Sequence, residues 1–468
     1  MKRVISVILV LCIFSCLVSC QKKGSQFNYP TGNIEACVYE ESTENTSFNA
    51  NIYIVNHLSG MLECKSAKIE IPNDISPLNA LIEAVIAQND SHISLNIKFE
   101  NALLSNNTCL IFLTGEFPEM TEWFKLEGAL LATLKDFCNA DTVVLFLNDS
   151  IAAYDGMPVS VARYTGDLPD NYVEEMLAEL NTGAPLKSTF LAFIPDYDSE
   201  FFYVSPIGSV PYNASDTTRT KIKKTLEKAV EELTAAYNRH MQPGIDACCT
   251  IIFNSQRAES GNFTVDIELD QAVMLRNDNL YTAKLIALFL YVNVPRIESI
   301  HFTVKDAGGD IEYSPSFKEA LHGLGTDITA YYPIHVDSTL EAVHMYIESE
   351  NCYNPKALLE KVLSETSDTL MPDISDRLQD VAINGDTVLI SFLPNTSTKI
   401  KLDFINDTRY YDSPEMRERL FVYSIVNTLT ELPMIECVAF FEDKKTMPRL
   451  VNIYFERPLM RNPGLIAE

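Results

Sequence analysis

Apolar and polar positions along the chain fall into one order of elements, and that order occurs three times. Three apolar strands are each entered from a helix end: Thr142-Val143-Val144-Leu145-Phe146, Glu298-Ser299-Ile300-His301-Phe302 and Glu436-Cys437-Val438-Ala439-Phe440. In each, a β-branched residue and the Phe two positions later share a face, because successive side chains alternate across a strand. Polar residues follow at once: Asn148-Asp149, Lys305-Asp306 and Glu442-Asp443. Ahead of each strand the apolar spacing changes to the helical period. The stripes are Leu126, Leu130, Leu131 and Leu134; Leu285, Leu288 and Phe289; and Leu420, Ile425 and Leu429. Ser413-Pro414-Glu415 is a cap residue, a Pro at the first helical position and an acid in the first turn, which together predict a helix start.

A hairpin arm precedes each of these helices. Asn384-Gly385-Asp386 leads into Thr387–Phe392, Gly261-Asn262 into Phe263–Leu269, and Asn106-Asn107 into Thr108–Leu113. Asn-Gly pairs tolerate the positive φ angles of a tight turn. Further upstream lies another helix in each case, starting at Ser76-Pro77, at Asp216 and at Asn354-Pro355, behind paired extended segments. The repeating unit therefore reads β-β-α-β-β-α-β. The expected fold class is α+β, as three small tandem units, each a sheet with two helices packed on one face. Their expected bounds are 45–150, 187–306 and 327–445, with 446–468 as a C-terminal tail. Residues 154–182 exceed a simple linker and have no place in this scheme.

The pattern resembles the GerMN domain, named from sporulation and spore-germination proteins. The likeness rests on Asn384-Gly385-Asp386-Thr387-Val388 with Ile435 to Phe440, and on Gly261 to Leu269 with Ile297 to Phe302; the first copy fits more loosely. It implies a fold like that of ring-building modules in envelope and secretion assemblies, often carried by lipoproteins. Those motifs are structural, not chemical. All three copies are diverged, so little of the family's function is implied beyond its architecture.

The N-terminus changes the picture of where the chain works. Lys2 and Arg3 precede an apolar run from Val4 to about Cys16. That run is short against the roughly 20 apolar residues that span a bilayer. A basic start and a short apolar core mark a secretory signal. Leu17-Val18-Ser19-Cys20 then matches the lipobox of bacterial lipoproteins, which implies cleavage between Ser19 and Cys20 and acylation of Cys20. On this reading 1–19 is the signal peptide and 20–44 a tether. The alternative is an uncleaved transmembrane anchor. Either way the bulk of the chain is expected outside the cytoplasm, on the extracytoplasmic face of the cell membrane.

Charge narrows the partners. The 468 residues carry a net −28, with 47% hydrophobic and 10% aromatic residues. Without Lys2 and Arg3, 34 basic residues face 64 acidic ones, a net of −30. Such a surface repels nucleic acid and anionic headgroups. Membrane attachment is therefore expected through lipid on Cys20, and the remaining partners are envelope proteins or the chain itself.

Candidate chemistry is sparse. No CxxC, HxH, HExxH, GxSxG or GxxxxGK[ST] occurs. Asp266 and Glu268 share a strand face and read as a solvated sheet surface before an acid/base pair. Asp306–Asp310 reads as a polar turn, His301 as a sheet histidine, and Trp123 as a packing anchor. Arg219, Lys221, Lys223, Lys224 and Lys228 spread around a solvated helix. No catalytic residue, metal or cofactor is expected. Two function classes stay open: a non-catalytic scaffold lipoprotein of the envelope, with a sporulation or germination role by analogy, and a binding lipoprotein capturing a small molecule or cell-wall fragment between units. An envelope enzyme is the third and least supported.

Overall fold

The structure is a computed structural model that describes most of residues 46–467; the longest stretches outside the description within that span are 232–248, 255–262 and 271–280. It is a mixed α+β architecture.

The first hairpin pairs β1 (Ser47–Val55) with β2 (Leu62–Glu70) through all nine residues. Helix α1 (Pro77–Ile93) follows, then the hairpin β3 (Ile97–Ser105) and β4 (Thr108–Gly115), helix α2 (Met120–Cys138) and strand β5 (Thr142–Leu147), parallel to β4. Residues 154–182 supply β6 (Val161–Arg163), which pairs with β5, and helix α3 (Tyr172–Thr182), which packs on α2. In the middle of the chain β7 (Ser188–Pro195) pairs with β8 (Phe202–Val210). A second sheet holds β9 (Cys249–Asn254), β10 (Phe263–Asp270), β11 (Ile297–Lys305) and β12 (Ile311–Tyr313), with helix α4 (Tyr281–Asn293) between β10 and the parallel β11. In the last third β13 (Gly325–Tyr332) pairs with β14 (Glu341–Glu348). Helix α5 (Pro355–Ser364) leads to β15 (Leu378–Asn384) and β16 (Thr387–Phe392), helices α6 (Thr396–Asn406) and α7 (Pro414–Leu429), and β17 (Cys437–Glu442), parallel to β16.

Local chemistry sets these boundaries. Ser76 Oγ accepts from Asn79 N at 3.2 Å, Asn354 Oδ1 from Lys356 N at 3.0 Å, and Ser413 Oγ from Met416 N at 3.4 Å, each just before a Pro. A capping oxygen takes up one of the unpaired N–H groups of the first turn, and Pro lacks an N–H there in any case. Helix α2 stops at Asn139, whose left-handed φ of 57° returns its N–H to Leu134 O and Lys135 O. Gly385 sits at φ +64° in the two-residue turn between β15 and β16, and Asn106 at φ 51° in the turn between β3 and β4.

The expectation of three separate sheets meets a different arrangement. Hairpin β1–β2 lies in the same seven-stranded sheet as β15, β16 and β17, in the order β2-β1-β15-β16-β17. It joins through one parallel bridge, Ser47 to Asn384, and Gly385 N donates to Ser47 O at 2.8 Å. The sheet β3-β4-β5 is covered on both faces rather than one. Cys109, Ile111, Leu113, Val143 and Leu145 face a core shared by the two ends of the chain. Leu110, Phe112, Val144 and Phe146 face a second core shared with α4, β10 and β11. Residues 446–468 also pack in: Leu459–Met460 pairs with β17, and Leu450, Ile453, Phe455 and Leu465 are buried.

Candidate functional site

The buried polar groups of the described residues concentrate where hairpins meet helices and where one hairpin meets another. A strand whose outer edge lacks a neighbour leaves N–H and C=O groups to be satisfied. Here helix side chains satisfy them three times over. Tyr53 N donates to Thr133 Oγ1 of α2 at 2.9 Å, and Asn89 Nδ2 of α1 reaches Tyr53 O at 3.3 Å. Leu191 N donates to Asn293 Oδ1 of α4 at 2.8 Å, and Asn293 Nδ2 returns to Leu191 O at 2.7 Å. Tyr331 N donates to Thr428 Oγ1 of α7 at 2.9 Å, and Ser424 Oγ donates to Tyr331 O. Thr133, Asn293, Ser424, Thr428 and Asn89 are all buried.

A second set of bonds ties the hairpins together. Ser105, fully buried at the end of β3, donates to Gly325 O of β13 at 2.8 Å and accepts from Val204 N of β8 at 3.0 Å. One hydroxyl thus links the first, middle and last thirds of the chain. Beside it Asn106 N donates to Thr326 Oγ1 at 3.1 Å, and Asp327 N donates back to Asn106 Oδ1 at 3.1 Å. Phe202 and Leu324 add a parallel bridge.

Two buried carboxylates serve the same joining role. Glu418 of α7 accepts from Val451 N at 2.7 Å, Asn452 N at 2.7 Å and Ile453 N at 2.9 Å, which clamps the C-terminal segment to that helix. Burial raises its pKa and those backbone donors oppose the rise. Glu127 of α2 is 2% exposed and accepts from Tyr172 Oη of α3 at 3.1 Å. Burial pushes its carboxyl up to about 8, against the lowering effect of the Tyr172 hydroxyl. Gly128 permits this contact, since a Cβ there would stand 2.8 Å from the Tyr172 ring. Neither carboxylate was singled out in the sequence, because their partners lie 33 or more residues away.

The sequence-predicted positions fall as follows. Ser19 and Cys20 lie outside the described residues, as do Arg219, Lys223, Lys228 and Asp306 to Gly309. Trp123 is fully buried, and its indole N–H donates to Val159 O at 2.9 Å. His301 is exposed between Ser299 and Ser314, at 3.0 and 2.7 Å. Asp266 and Glu268 sit on the face of β10 opposite the buried Val265, Ile267 and Leu269. Lys224 pairs with Asp216 at 2.5 Å and Lys221 is buried; Asp310 pairs with Lys305 at 2.8 Å. Among the described residues, Trp123, His301, the Asp266–Glu268 face and the Asp216–Lys221–Lys224 group stand on separate elements. Cys109, Cys138 and Cys352 share the core of the two chain ends, where burial pushes the Cys138 thiol up to about 12 and the other two well above the usual range. Thiols so held are poor nucleophiles. Among the described residues, no cluster of His, Cys, Asp or Glu is arranged to hold a metal ion, and no helix is long and apolar enough to cross a membrane.

No family model matches the chain, and no curated protein matches it. Among solved structures it aligns with the tandem GerMN domains of the sporulation protein GerM from Bacillus subtilis, at 15% identity and a TM-score of 0.21, over 59% of this chain and 98% of that one. It also aligns with a "Putative Lipoprotein from Clostridium perfringens", at 17% identity and a TM-score of 0.19, over 30% of this chain and 92% of that one. At such scores neither likeness carries an argument, and the functional reading stands on the chain's own geometry.

Proposed function

We propose that the chain is a non-catalytic, lipid-anchored assembly protein of the cell envelope, built from three diverged GerMN-like units. The observation that carries this is the threefold recurrence of one joint. Each time, a residue in the first strand of a hairpin donates its N–H to, and accepts at its C=O from, side chains of helices that follow it. A repeated joint supports a repeated unit, more strictly than apolar spacing does. These buried polar groups close each hairpin onto the helices of its own unit, the bonds of Ser105 and Asn106 tie the units to one another, and the units' outer strands and helices are left as contact surface. The short basic-apolar leader and the Leu17-Val18-Ser19-Cys20 motif support export and a lipid on Cys20. By resemblance, the assembly belongs with sporulation or germination.

Crosslinking a tagged chain in its native membrane, followed by mass spectrometry, tests the reading. Abundant crosslinks to itself or to one set of envelope proteins are expected. A chain that stays monomeric and uncrosslinked overturns it. Labelled palmitate should enter the wild type and be lost in Cys20→Ser; equal labelling of both removes the anchor from the proposal.

A further inference from the structure

Among the described residues, strand β2 is the long edge of the seven-stranded sheet, with β1 as its one strand neighbour; the opposite edge ends in strands of two residues. Among the described residues only β1 hydrogen-bonds to its backbone. Glu63, Cys64, Lys65, Ser66 and Lys68 are exposed. The direction of its unused groups follows from β1. The N–H groups of Tyr53 and Val55 go to Thr133 Oγ1 and Asn89 Oδ1, so they point away from β2. Tyr53 lies opposite Cys64 and Val55 opposite Leu62. These are therefore the non-hydrogen-bonded pairs of the hairpin, and Leu62, Cys64 and Ser66 present their N–H and C=O to the open side.

We propose that this edge pairs antiparallel with the same strand of a second copy, about a two-fold axis through Cys64. The inference rests on the assembly reading above and names its contact. Symmetry limits the registers. A two-fold axis that joins two identical edges stands perpendicular to the sheet, so one residue must face its own copy. Centring on Glu63 or on Lys65 sets like charges directly opposite, which destabilises a ladder. Centring on Cys64 sets Glu63 opposite Lys65 of the partner, twice, and Leu62 opposite Ser66. Cys64 then forms a hydrogen-bonded pair with its own copy. Registers centred on Ser66 and Ala67 place no opposite charges face to face, one centred on Lys68 opposes two lysines, and one centred on Ile69 sets Lys68 opposite Glu70 but overlaps the two strands only at their ends. Charge also favours a self-contact at this place. The chain as a whole carries −28, yet Glu63, Lys65, Lys68 and Glu70 leave this strand neutral. Because β1 meets β15 at one bridge only, the joined sheet is locally four strands, β1-β2 and their copies. That is a size which holds its own twist.

Cys64, exposed and unpaired by any disulfide, reports on the register. In an antiparallel hydrogen-bonded pair the Cα atoms lie about 5.5 Å apart, inside the range a disulfide bridges. The full chain, purified with its lipid in detergent, is treated with copper phenanthroline and run on a non-reducing gel. A dimer that Cys64→Ser abolishes is expected. Sedimentation of Glu63→Lys should show self-association weakened by about tenfold, since two attractive pairs become repulsive ones. The double change Glu63→Lys with Lys65→Glu should restore it. A crosslinked dimer that survives Cys64→Ser, or self-association unmoved by Glu63→Lys, overturns the proposal. Should Cys64 give no dimer while the native-membrane experiment still captures envelope proteins, the edge contact falls and the assembly reading stands. Should both fail, both fall.

Discussion

At the scale of single residues, the groups that matter most are buried and polar, and they sit at joints. Glu127 offers a measurable consequence. Its carboxyl titrates near 8 in the folded chain, against an ordinary 4.5, because burial disfavours its charge. A folded-state pKa above the unfolded value means the folded chain holds its proton longer. This contribution is complete below pH 4.5 and lost as pH rises through 8. Glu127→Gln keeps the shape and the acceptor for Tyr172 but has no charge to bury. The variant should melt higher than wild type at pH 9, by about 2–4 kcal/mol on a scale of 1.36 kcal/mol per pH unit, and close to wild type at pH 5. Thermal melts across that range check it, and a difference that does not change with pH would exclude Glu127 as the source. Ser105 has the opposite character, since it is neutral and fully engaged. Ser105→Ala strands Val204 N and Gly325 O in the interior, at a cost of about 1–3 kcal/mol. Urea unfolding should show it, and a loss within that of a surface substitution would mean that other groups take up those bonds.

At the scale of elements, the hairpins are closed by helices in place of strands. Asn293 does the work of two side chains, bonding both the N–H and the C=O of Leu191. Asn293→Leu should therefore cost more than Thr428→Val, which strands Tyr331 N alone: about 2–3 against about 1–2 kcal/mol. Amide exchange at Leu191 should rise accordingly in the first variant, and unchanged protection there would remove the asparagine from the joint. This is also the scale at which the sequence was most legible. Ser76-Pro77, Asn354-Pro355 and Ser413-Pro414 all open helices, and Asn384-Gly385 begins a two-residue turn, because caps and turns are decided by neighbours in the chain. Helix α6 was not foreseen; Thr396–Asn406 buries only Thr396, Ser397, Ile400 and Phe404, and its apolar stripe is thin. Strand β6 was illegible for a related reason: its three residues depend on β5, far back in the chain; helix α3 carries a helical stripe of its own in Tyr172, Val173, Met176, Leu177 and Leu180, but that stripe has no place in the repeating unit.

At the scale of the whole molecule, one strand shows what periodicity could not decide. Thr108-Cys109-Leu110-Ile111-Phe112-Leu113 reads as an unbroken apolar run, which fits a strand covered on one side in a loose register or on both sides in a strict one. The structure gives the second answer. Cys109, Ile111 and Leu113 serve the core of the two chain ends, and Leu110 and Phe112 serve the middle core. The sheet β3-β4-β5 is thus the shared wall of two cores, and the three thirds of the chain should not melt independently. Calorimetry of the wild type should show one cooperative transition. Leu110→Ala and Ile111→Ala, adjacent residues on opposite faces, should each cost about 2–5 kcal/mol and each lower that same transition. Hydrogen exchange in Leu110→Ala should rise in α7 as well as in α4, although α7 touches only the other core. A melt that splits in two under Leu110→Ala, with α7 still fully protected, would mean that the wall does not couple the cores and that the units act as separate beads on the tether.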